Sequence, residues 1–138
     1  MATVASDFDG VIHAYSRGYH DGTIYDNPVP GAFNALTRLM ERYAVVIFTA
    51  RNARQVAEWL SAHGNYDVTT EWTPPFWNTR GVLLVTNVKP VAVAYIDDRG
   101  IRFENWDQAL TELEQLPPLP APVTTTRRAG RTPVTGHA

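Results

Sequence analysis

The chain has no cysteine, which excludes a disulfide framework, thiolate metal sites and thiol catalysis, and suits a reducing compartment. It has a single lysine, Lys89, against eleven arginines, so a compact ammonium is offered at one position and every other fixed positive charge is a planar guanidinium. Long apolar runs are also missing. The longest, residues 44–48 and 91–96, fall far below the roughly 20 residues a membrane span needs. The start, Met1-Ala2-Thr3, shows no basic region followed by an apolar segment, so neither export nor a membrane partner is expected, and the expected compartment is the cytoplasm. Acidic residues are lacking beyond Leu116, where Arg127, Arg128 and Arg131 supply +3; the net charge of the chain is −2, so residues 1–116 carry −5. A body of that sign is a poor general polyanion binder, so any nucleic-acid contact would have to be local or come from the tail.

What is present is globular: 44% hydrophobic and 19% charged residues in a chain of 138 match one domain able to bury a core. Residues 2–6 form a short strand candidate, residues 44–48 and 91–96 are short apolar runs without polar alternation, and residues 82–85 form a further strand candidate. Such continuous runs predict parallel strands buried on both faces. Phe33, Leu36, Leu39 or Met40, and Tyr43 recur at helical spacing after Pro30-Gly31, predicting a crossover helix. Asn52 caps a second predicted helix, with Val56, Trp59 and Leu60 on one face and Gly64 at its exit. A third starts at Asn105, lines up Trp106, Leu110, Leu113 and Leu116, and stops at Pro117-Pro118. The predicted fold is α/β, a three-layer sandwich around a central parallel sheet. Residues 10–30 lack helical periodicity and read as a loop or hairpin flap, while the first half of 66–87 carries no clear signal. From Pro117 onward, Pro, Thr, Ala, Gly and Arg predominate, predicting a flexible tail over 117–138.

The polar residues of interest fall at predicted strand ends, where open α/β sheets gather functional groups. Asp7-Phe8-Asp9-Gly10 follows the first strand; an apolar residue between two acids lets both carboxylates point one way while Phe8 faces the core, although Asp-x-Asp-Gly is equally an ordinary turn sequence. The second strand runs into Thr49-Ala50-Arg51, a hydroxyl and a guanidinium before a helix start, a place that suits an anion or merely a cap. Lys89 follows the 82–85 strand. Asp97-Asp98 ends the 91–96 strand, and adjacent carboxylates there need a cation, hydrogen bonds or a pairing with Arg99.

Taken in order, Asp-x-Asp, Thr, Lys and Asp-Asp at four strand ends resemble the four motifs of the haloacid dehalogenase (HAD) superfamily. The resemblance spans residues 2 to about 116 and makes 1–116 the expected catalytic domain. It implies a phosphatase in which Asp7 attacks phosphorus to form an aspartyl-phosphate, and Asp9 protonates the leaving oxygen and then activates water. It implies Mg²⁺ as cofactor, held by Asp7, the main-chain carbonyl of Asp9 and Asp97, with Asp98 holding a metal-bound water or orienting Lys89. Thr49 and Lys89 are the implied phosphate-binding residues. An acid at position 9 separates phosphatases from the dehalogenases and ion pumps of the superfamily.

His13 is read as a loop histidine packing under the flap, and Arg51 as a substrate contact or a surface pair; His20, His63 and His137 show no ligand spacing. About twenty residues follow Gly10 before the first helix, and a similar number separate Tyr66 from Lys89, leaving no room for the cap domain of larger relatives. The expected type is therefore a small capless phosphatase. Selection would fall to the flap, with Tyr15, Arg17, Tyr19 and Tyr25, and to the segment with Trp72, Phe76 and Trp77. Aromatics beside a phosphate site suit a nucleotide or a nucleic-acid terminal phosphate, but they suit core packing or a dimer contact as well. The alternatives are a sugar-phosphate phosphatase, a phosphotransferase, or a HAD-fold binding module without turnover.

Overall fold

In the computed structural model, residues 2–116 are described; the predicted tail over 117–138 lies outside them. Contacts divide the described residues into two units, one of residues 2–16 with Ile24–Asp98, the other of Arg17–Thr23 with residues 99–116.

The first unit is an α/β fold built on β1 (Thr3–Ser6), α1 (Ala32–Met40), β2 (Ala44–Phe48), α2 (Ala53–Gly64), β3 (Val68–Thr69), β4 (Leu83–Thr86) and β5 (Ala94–Ile96). All five strands are parallel, in the order β3-β4-β2-β1-β5. After β1 the chain moves to one side for β2, β3 and β4, then crosses to the other for β5. The space beyond the carboxyl end of β1 is thus where connections diverge, and side chains there are not covered by a crossover.

Alternation along the strands sorts residues between two faces. Val45, Ile47, Leu83 and Val85 point to the face covered by Leu36 of α1 and by Val56, Trp59 and Leu60 of α2. Ala5, Val46 and Leu84 point to the other, where Trp72, Trp77 and Ala92 pack against them. The irregular 70–91 segment is tied down by Thr3 Oγ1 donating to the Trp77 carbonyl and by Trp72 Nε1 donating to Thr86 Oγ1. The α2 cap is the predicted one, since Asn52 Oδ1 accepts from the Gln55 N–H at 3.1 Å. Its exit differs by one residue. Gly64 stays helical, where a Cβ would strike the Tyr66 ring, and Asn65 takes the left-handed turn at φ 59°.

Two strand expectations change. The run predicted over 91–96 is paired only over Ala94–Ile96, and Val91, Val93, Tyr95 and Ile96 are exposed; among the described residues β5 is an edge strand with a single neighbour, so its apolar run does not mean burial on both faces. The unclear stretch after α2 contains β3, whose two residues are too few to show a period. In the second unit, α3 (Trp106–Gln115) starts as predicted, with Asn105 Oδ1 accepting from the Gln108 N–H at 2.9 Å, but has no buried residue. No helix among the described residues is long and apolar enough to cross a membrane.

Leu60 is fully buried between α2 and the sheet. Leu60→Ala should lower the unfolding free energy by about 2–5 kcal/mol in urea titrations, and Asn52→Ala by about 1 kcal/mol; a Leu60→Ala loss no larger than that of Asn52→Ala contradicts this packing.

Candidate active site

Backbone pairing brings the strand ends together. The Asp7 N–H donates to the Ile96 carbonyl at 2.8 Å, setting Asp7 beside the residue that precedes Asp97. On the other side, the Thr49 N–H donates to the Thr86 carbonyl at 3.0 Å, joining the ends of β2 and β4. Phe8 is fully buried and meets the Trp59 ring edge-on at 5.3 Å, as the alternation of Asp7-Phe8-Asp9 predicts. The chain then turns back sharply. The N–H groups of Val11, Ile12 and His13 all converge on the Phe8 carbonyl, and the Gly10 N–H donates to the His13 carbonyl at 2.8 Å. Gly10 has φ +85°, and a Cβ there would overlap the Asp98 carboxylate. Glycine is required both for the left-handed backbone and for the close approach of the two loops.

The carboxyl group of Asp7 shows how crowded this corner is. It is pushed up from 3.8 to about 6, first by burial, against the Phe8 N–H that favours the anion, and further by the negative charges of Asp98, Asp9 and Asp97. The other three acids singled out in the sequence are therefore near enough to act on Asp7.

In comparisons with family models, curated proteins and solved structures, nothing matches this chain.

The two acids of the first motif have different surroundings. Asp7 Oδ1 accepts only from the adjacent Phe8 N–H at 2.8 Å among the hydrogen bonds described. Asp9 is gripped from two sides: Arg51 Nε donates to Oδ1 at 3.0 Å and to Oδ2 at 2.8 Å, and His13 Nδ1 lies 2.8 Å from Oδ1. Arg51 is 7% exposed in its side chain, so the surface-pair alternative gives way to a buried pairing with Asp9. His13 does pack, fully buried among Phe8, Tyr15, Tyr25 and Trp59, and it also holds Asp9, which packing alone did not anticipate. His63 stacks on Trp59, away from the acids, and His137 lies outside the described residues.

Thr49 is buried at the end of β2, and its Oγ1 accepts from the Arg51 N–H at 3.0 Å. Its hydroxyl thus acts as a local cap for the turn, leaving the O–H to be given elsewhere. Asn87, which sequence reasoning passed over, donates from Nδ2 to the carbonyls of Thr49 and Arg51 at 2.6 and 2.7 Å. The only signal for it was a polar residue directly after a strand. Lys89 is exposed, with its ammonium 4.8 Å from the centre of the Tyr95 ring, and no ion pair to Asp98 is made. Asp97 and Asp98 are exposed.

Oxygen-rich donors are the chemistry a hard divalent cation takes, and mutual repulsion among them is what such an ion relieves. Among the described residues no group of three or more acids or histidines is already gathered around a common point. The donor types fit Mg²⁺. Trp72 and Trp77 are absorbed by the sheet face, whereas Phe76 is 68% exposed.

The raised Asp7 carboxyl has a measurable sign. A folded-state value near 6 against 3.8 otherwise means that the stabilisation associated with its proton is complete below about pH 4 and is lost as pH rises through about 6. In metal-free buffer, Asp7→Asn should therefore melt a few degrees above wild type at about pH 7.5, with the difference vanishing near pH 4. An Asn variant that melts lower than wild type at the higher pH contradicts the crowding.

Proposed function

We propose that this protein is a magnesium-dependent phosphomonoester hydrolase of the HAD type, with Asp7 as nucleophile and Asp9 as proton-transfer partner. The observation that carries the reading is the Asp7 carboxyl, pushed up first by burial and then by the charges of Asp98, Asp9 and Asp97, at the carboxyl end of a parallel sheet. A purely structural turn has no use for a carboxyl so placed, which disfavours folding at neutral pH. The same reading carries the three-layer HAD organisation, whose further layer belongs on the Ala5, Val46 and Leu84 face.

Asp7, Asp97 and the main-chain carbonyl of Asp9 would hold the ion. When bound, Mg²⁺ supplies positive charge to a phosphoryl oxygen and to the clustered carboxylates. Asp7 attacks phosphorus, an Asp7 oxygen–phosphorus bond forms, and the bond to the leaving oxygen breaks as Asp9, in its protonated form, gives that oxygen the proton it took from water in the preceding turnover. Asp9 then takes a proton from water, whose oxygen displaces Asp7 and releases phosphate. Thr49 offers its hydroxyl to the phosphoryl group from a turn that Asn87 braces. Lys89 reaches the same oxygens only by leaving the Tyr95 ring.

With Trp72 and Trp77 packed, the nucleotide or nucleic-acid-end reading of the substrate rests on exposed Phe76 and on Tyr15 and Tyr25 beside His13. A panel of nucleotides, 3′- and 5′-phosphorylated oligonucleotides and sugar phosphates decides it. Phosphate release should require Mg²⁺, stop with EDTA, and fall by about 10³-fold or more in Asp7→Asn. Added alcohol separates hydrolysis from phosphoryl transfer by product. Absence of release from every ester, or equal release by the variant, overturns the proposal and favours a binding module.

A further inference from the structure

We propose that His13 is a positioning residue for Asp9, locked in one tautomer by the main chain of Asp26 so that its Nδ1–H aims the Asp9 carboxylate. The inference rests on the role given to Asp9 above and goes beyond it, because it assigns a task to a side chain outside the four motifs.

The tautomer follows from both ring nitrogens at once. Nε2 lies 3.0 Å from the Asp26 main-chain nitrogen, which has a hydrogen to give, so Nε2 accepts and carries none. Nδ1 lies 2.8 Å from Asp9 Oδ1, a carboxylate oxygen that accepts, so Nδ1 donates. The two contacts require the same form of the ring. The Asp26 peptide is itself fixed: its carboxylate accepts from the Ser16 N–H and hydroxyl at 2.8 and 2.5 Å and from the Asn27 N–H at 2.8 Å. Those bonds hold the Asp26 carboxyl down at about 2. The flap is also stitched to the loop on either side of His13, by Val29 N–H to the Ile12 carbonyl at 2.7 Å and Ala14 N–H to the Asn27 carbonyl at 2.9 Å.

A packing role alone does not call for imidazole at this place. The ring is 0% exposed and boxed by Phe8, Tyr15, Tyr25 and Trp59, and a polar ring in such a box is tolerated only with both nitrogens satisfied. Arg51 completes the arrangement from the β2–α2 turn. Oδ1 of Asp9 takes two donors and Oδ2 one, so the carboxylate plane is held from two directions.

The test compares His13→Asn, whose amide N–H falls near the Nδ1–H, with His13→Gln, whose amide falls near Nε2 and offers Asp9 nothing. Each is assayed in Mg²⁺ on an alkyl phosphate, whose leaving oxygen needs a proton, and on p-nitrophenyl phosphate, whose leaving oxygen does not. kcat/KM is the readout, since it covers the steps up to alcohol release. His13→Gln should lose about 10²-fold on the alkyl ester through kcat with KM steady, and less than about 3-fold on p-nitrophenyl phosphate, while His13→Asn stays within about 5-fold on both. Equal losses on the two esters, an unaffected Gln variant, or an Asn variant as impaired as Gln overturns the inference. Independently of turnover, nitrogen NMR of the wild-type protein should show His13 protonated at Nδ1, and protonation at Nε2 overturns it as well. Failure of wild type to hydrolyse either ester, with the Nδ1–H form seen, counts against the phosphatase reading rather than against the tautomer.

Discussion

Burial of the Asp7 carboxyl at the carboxyl end of β1, beside the negative charges of Asp98, Asp9 and Asp97, is the constraint around which this site is arranged. Asp7 cannot move away from Asp97 and Asp98, because its N–H is bonded to Ile96 and the next side chain, Phe8, is sealed into the core against Trp59. Asp98 comes so close to the first loop that only glycine fits at position 10. Hydrophobic packing and backbone pairing together force an electrostatic arrangement that is unfavourable by itself, which is how proteins hold reactive groups poised.

The two acids of the first motif answer that constraint differently. Asp9 is stabilised by donors on both sides, Arg51 and His13, and so has a fixed direction. Asp7 has the Phe8 N–H and otherwise faces negative neighbours. A side chain whose charge is disfavoured until a cation arrives is a group whose state a ligand controls, whereas one already held by donors keeps its geometry throughout. The residues between the two acids and around them are firmly anchored. The Phe8 carbonyl gathers three N–H groups, Asn87 gathers two carbonyls of the Thr49–Arg51 turn, and Asp26 gathers Ser16 and Asn27.

Much of the fold was legible because it rests on local rules. Ala44–Phe48 is a strand with the bounds its apolar run suggests, α1 follows Pro30-Gly31, and the caps at Asn52 and Asn105 are where short polar side chains precede an apolar stripe. β5 was overextended because an apolar run does not say whether a strand is central or at an edge, and the burial of its side chains depends on neighbours distant in sequence. Trp72 and Trp77 were ambiguous for the same reason: an indole that packs on a sheet and one that stacks on a ligand look alike in sequence, and only the positions of Ala5, Val46 and Leu84 separate them.

The order of residues by itself determined an α/β domain with parallel strands and acidic groups at strand ends, since periodicity, caps and turns act over a few positions. Only the tertiary structure decided that Arg51 belongs to Asp9, that His13 bridges Asp26 and Asp9, that Asn87 braces the second turn, and that Lys89 lies over Tyr95. Pairings such as Arg51 with Asp9 join residues 42 positions apart. A hydrogen bond or a Coulomb interaction depends on distances of a few ångströms in space, and the separation of residues along the chain carries no record of them until the sheet has assembled.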